Sequence, residues 1–108
     1  MDFEISFNKG KGYFVIETRG ETSPDDIEAS LKRLFEDQNW TTGANILYDN
    51  QQEITDNLSI KDVEKISYNF TRFNDILSKS KIALVMPKDA GYGLARMWGA
   101  QTEYNATF

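Results

Sequence analysis

The chain contains no cysteine and no histidine. The first absence excludes disulfides, thiolate metal sites and cysteine nucleophiles. The second removes the commonest general base, the commonest zinc ligand and every Ser–His arrangement. Basic charge is scarce: 12 Lys and Arg face 17 Asp and Glu, for a net charge of −5. An acidic domain without a basic stripe repels a phosphate backbone, so nucleic acid is not expected as a partner. No apolar run approaches the roughly 18 residues that span a membrane. The opening "MDFEISF" lacks the charged-then-apolar pattern of a leader, and the expected location is the cytoplasm.

What is present suits one domain covering residues 1–108. A chain of this length buries roughly 65% of the surface it would expose unfolded. Seven Phe, five Tyr and two Trp give its core bulk. The acids are unevenly placed: Glu21, Asp25, Asp26, Glu28, Glu36 and Asp37 crowd the segment that holds only Lys32 and Arg33 as bases, whereas residues 61–108 are slightly basic.

"DFEISF" alternates Phe3, Ile5 and Phe7 with polar residues, the period of a half-buried strand. "NKGKG" is a turn, and "YFVIET" a second strand, apolar on both faces at its start; together they predict a hairpin. A helix follows, with Ser23 as N-cap, Pro24 at its first position, and Asp25 and Asp26 at the positive end of its dipole. Ile27, Leu31, Leu34 and Phe35 form its buried stripe. "NILYD" reads as a short strand and "NQQEITDNL" as a polar loop.

"SIKDVEKISYNFTRFNDIL" predicts the most amphipathic helix, with Val63, Ile66, Phe70, Phe73 and Leu77 along one side. Ser59 and Asp62 make a capping-box-like start. "KIALVM" is a continuous apolar run, as in a strand covered on both faces, and Pro87 stops it. A third helix is expected from near Asp89, and "YNATF" begins another strand. The order ββαβαβαβ calls for an α/β fold: an N-terminal hairpin followed by β-α units, in a mostly parallel sheet with helices packed on it.

This order, with "NILYDN" in the third strand and "KIALVMPKDAGYGLARMW" in the fourth strand and helix, resembles the STAS-like group related to bacterial anti-sigma-factor antagonists. The likeness covers nearly the whole chain and is most specific from the apolar strand through Pro87 to Met97. It implies a sheet-and-helix domain that binds a protein or a small ligand without catalysis. Signalling members carry an Asp-Ser-Ser/Thr-Gly-type motif where a kinase adds phosphate. The matching region here reads "ITDNLSIKD", with Ser59 near the modified place and the small-residue–Gly signature absent. Members usually continue through a full last strand and helix, so the resemblance implies a domain that lacks a final C-terminal helix, by truncation or as a shortened relative.

Each candidate site has a plainer reading beside it. Gly91, Tyr92 and Gly93 with Arg96 either face an anion at a helix N-terminus or let that helix pack closely on the sheet. The run is no Walker loop, since it lacks the GKS/T end. Ser59 is a phosphorylation candidate or simply a cap. Asp49 and Asn50, near Glu53 and Asp56, either hold a polar ligand outside the carboxyl ends of the strands or belong to a solvated loop. No metal site and no cofactor are expected.

Trp40, Tyr92, Met97 and Trp98 belong to the core or to a contact surface; Trp98 falls with Leu94 on one helix face and is the candidate partner residue. No residue set identifies a reaction, and no enzymatic activity is expected. The function expected is a non-enzymatic regulatory or protein-interaction domain, binding a protein partner or a second copy of itself. The alternative is a small-ligand or lipid-binding domain with an apolar pocket of roughly 300 Å³ or more between helices and sheet.

Overall fold

The computed structural model describes residues 1–85 and the backbone of residues 106–107. The helix expected from Asp89, with Gly91, Tyr92, Gly93, Arg96 and Trp98, lies outside the described residues.

Strands β1 (Asp2–Asn8) and β2 (Tyr13–Glu21) form the hairpin. They run antiparallel in unbroken register from Asp2↔Arg19 to Asn8↔Tyr13. The turn closes through the Gly12 N–H to the Asn8 carbonyl at 2.7 Å, with Gly12 at φ +72°, a conformation that disfavours any side chain. Helix α1 (Pro24–Phe35) follows, and the Ser23 side chain accepts from the Asp26 N–H as expected of its cap.

Strand β3 (Asn45–Ile54) lies parallel to β2. Helix α2 (Ile60–Arg72), the four-residue turn α3 (Asn74–Leu77) and strand β4 (Ile82–Val85) come next, with β4 parallel to β3. A two-residue strand β5 (Ala106–Thr107) pairs parallel with β4. Strands therefore stand in the sheet in chain order, β1-β2-β3-β4-β5. The fold is mixed α/β, antiparallel in its first pair and parallel beyond it.

The core lies between α1 and α2 and one face of the sheet. Phe14 and Ile16 of β2, Ile46 and Tyr48 of β3, and Ile82 and Leu84 of β4 meet Ile27, Leu31 and Leu34 of α1 and Ile66 and Phe70 of α2. Trp40 is half-buried, its ring 5.7 Å from Phe14 and 5.2 Å from Phe35. No helix among the described residues is long and apolar enough to cross a membrane.

Three expectations need correction. The short third strand continues through the polar "NQQEI" to Ile54, because main-chain pairing with β2 is indifferent to side-chain polarity. β2 likewise extends to Glu21, and the Thr22 N–H continues the ladder to the Ile54 carbonyl at 2.9 Å. The single long helix from Ser59 to Leu77 is interrupted at Phe73, where ψ reaches +13°. In β4, Ile82 and Leu84 are buried in the core, and Ala83 and Val85 on the other face are half-buried.

Candidate functional site

The parallel strands end together at Glu21 and Ile54, beside the start of α1. In open α/β sheets this carboxyl edge is where ligands bind. Here it holds a cluster of buried polar side chains: Thr18, Thr22, Asn50 and Glu53.

A bulge builds the cluster. Between Glu17↔Asp49 and Arg19↔Gln52, β3 advances by three residues while β2 advances by two. The extra residue returns Glu53 to the core face that Asn50 already occupies. Thr18 Oγ1 then lies 2.8 Å from Asn50 Oδ1 and 2.8 Å from Glu53 Oε2. Thr22 Oγ1 donates to the Ile54 carbonyl at 3.1 Å, and Asn57 Nδ2 donates to the Thr22 carbonyl at 3.0 Å.

The Thr18 hydroxyl has one proton for two acceptor oxygens. The set closes if Glu53 carries a proton and donates to Thr18, or if the Asn50 amide turns its NH₂ toward the hydroxyl. Burial pushes the Glu53 carboxyl above its ordinary range, against the lowering effect of the Thr22 and Thr18 hydroxyls and the N-terminal ammonium. The first arrangement is the one this shift favours. A second buried pair lies farther down the sheet, where the Ser30 and Tyr48 hydroxyls share a hydrogen bond. Desolvation pushes the Tyr48 phenol well up, and the bond to Ser30 only partly offsets it.

Of the candidates read from sequence, the structure separates Asp49 from its neighbours. Asp49 pairs with Glu17 and Val85, alternates with the buried Tyr48 and Asn50, and accepts from the Gln51 N–H at 3.1 Å. Glu53 is buried and Asp56 exposed. Among the described residues, no three Asp or Glu side chains come together to hold a metal ion. Ser59 closes a reciprocal cap with Asp62: its Oγ accepts from the Asp62 N–H at 3.1 Å, and its N–H donates to Asp62 Oδ2 at 3.0 Å. The buried role of Glu53 was not legible as a site, because nothing in "NQQEI" marks the bulge.

Among the described residues, the exposed large apolar side chains are Ile54, Ile60 and Tyr68. All three belong to the stretch from the end of β3 to the outer face of α2. Ile60, Glu64 and Tyr68 follow one another at i, i+4 and i+8, within an arc of about 80°. Lys65 and Arg72, on the α1 side of this arc, are tied to Asp25 and Glu28 at 2.7 Å each.

A cleft of about 390 Å³ lies elsewhere, between β1 and α1, and is lined by Phe3, Glu4, Ile5, Arg33, Glu36 and Asp37. It is open and largely charged, unlike the apolar pocket that a lipid or small apolar ligand would occupy. The chain matches no protein-family model and no curated protein sequence.

Proposed function

We propose that this chain is a non-enzymatic, STAS-like regulatory domain that binds another protein through the surface running from Asn50 to Ser59 and along the outer face of α2. On this reading the full element order is ββαβαβαβ, and the candidates Gly91 to Trp98 extend the same surface. The observation that carries the proposal is the exposure of Ile54, Ile60 and Tyr68, at 51%, 72% and 63%, along the stretch that runs from the end of β3 through α2. Aromatic and branched apolar side chains on a surface with a polar rim are what a protein interface uses as anchors.

The carboxyl edge supports the same reading. Its polar groups are buried and bonded to one another, so they set the position of the loop after β3. Affinity capture from the native host checks the proposal, using the chain and its Ile60→Glu/Tyr68→Ala variant as paired baits. One protein retained by the first and lost by the second, at equal melting temperature, supports it. Retention by both removes the surface from the proposal. A small molecule carried through native mass spectrometry would favour the ligand-binding alternative.

A further inference from the structure

We infer that the cleft between β1 and α1 receives an extended peptide segment bearing a basic side chain, which adds to the sheet as a strand beside β1.

β1 is the first strand of the sheet, and among the described residues no strand pairs on its outer side. Exposed sheet edges are usually blunted by proline, lysine, a bulge or short length. β1 is seven residues long, contains no Pro or Lys, and pairs with β2 without a register break; the charges it carries, Asp2 and Glu4, are both acidic. Its outer main-chain row therefore remains a template for another strand.

The cleft supplies what an open edge alone does not. Phe3 and Ile5 are in register with Thr18 and Ile16, on the side of the sheet that carries α1. They provide an apolar floor for alternate side chains of an added strand. The facing wall is the last turn of α1 and the residues after it, Arg33, Glu36 and Asp37. Glu36 and Asp37 against Arg33 give this wall two acids and one base, while Glu4, on the other face of β1, lies 3.9 Å from Arg19. The negative end of the α1 dipole adds to that field. A Lys or Arg side chain on the entering segment is the complement, whereas an acidic segment is repelled. This surface is separate from the one on α2, so the two proposals stand or fall independently.

The test is selection of phage-displayed linear peptides of about ten residues on the whole chain, followed by affinity measurement with the synthetic winners. The expected winners alternate β-branched or aromatic residues with polar ones and carry a Lys or Arg. Glu36→Lys/Asp37→Lys should weaken them at least tenfold without changing the melting temperature, and added salt should weaken them too. Amide shifts should concentrate on residues 2–8, and N-methylation of alternate peptide residues should abolish binding in one of the two phases. Failure to enrich any peptide overturns the inference. So do acidic winners, indifference to the charge reversal, unshifted β1 amides, or an edge occupied by a second copy of the chain.

Discussion

The Thr18 hydroxyl stands 2.8 Å from Glu53 Oε2, joining the ends of two parallel strands through a carboxyl group that is only 7% exposed. A buried carboxyl in this position resists losing its proton, and that makes stability depend on pH. Its folded-state pKa lies above the ordinary value, with desolvation as the main cause. Between the unfolded and folded pKa values the native state binds more protons than the unfolded chain. This group's contribution is therefore fullest below the ordinary carboxylate range and is lost as pH rises through the raised value.

Glu53→Gln should keep the shape of the side chain and remove that loss. Its amide can donate to Thr18 Oγ1 as a protonated carboxyl does. Denaturant titrations at a series of pH values should show the variant gaining on the parent as pH is raised from the ordinary carboxylate range toward neutrality. A parent that outlasts the variant at neutral pH means that Glu53 is ionised and stabilised where it sits.

Thr18→Val tests the same contact from the other side. Valine keeps the branched shape and removes the hydroxyl that meets both Asn50 and Glu53. Leaving these buried polar groups short of a partner should cost roughly 1–3 kcal/mol. The loss should shrink in the Glu53→Gln background, because contacting residues are not additive. Equal losses in both backgrounds show that the two side chains are not coupled.

Phe70→Ala should cost roughly 3–5 kcal/mol. Phe70 is 1% exposed, and its ring centroid lies 6.4 Å from that of Tyr48. Such a loss is a large share of the ~5–15 kcal/mol total of a small domain, so a sharp fall in the urea midpoint is expected. An unchanged midpoint would mean that the core closes around the missing ring.

Much of the fold was legible because its signals are local. The helix starts follow from Ser23 with Pro24 and from Ser59 with Asp62, and both caps form. The stripe through Val63, Ile66 and Phe70 follows from helical spacing, and all three are buried. The far half of β3 was hidden, because Gln51 and Gln52 are polar on a strand held by main-chain bonds. Glu53 was hidden for a sharper reason. Plain alternation from Asn50 places it on the opposite face, and only the added residue of the bulge restores it to the core side.

The last two residues to test are Ser59 and its partner Asp62, the cap of α2 that borders the proposed binding surface. Ser59→Ala removes the oxygen that accepts from the Asp62 N–H, so it should cost about 1 kcal/mol. Ser59→Asn also caps and should remain within a few tenths of the parent, as expected of preferred N-cap residues. Ser59→Asp caps as well, but its new charge lies beside Asp62 Oδ2, which already holds the Ser59 N–H at 3.0 Å. Its stability should therefore fall between the other two. Partner affinity then separates a cap from a switch. Affinity that follows stability alone, with Ser59→Asn indistinguishable from the parent, marks Ser59 as a cap beside an interface. Affinity lost only in Ser59→Asp, and kept in the less stable Ser59→Ala, shows that negative charge at this position controls the interaction. The expected result is the first, because the reciprocal cap occupies both the Ser59 side chain and its N–H.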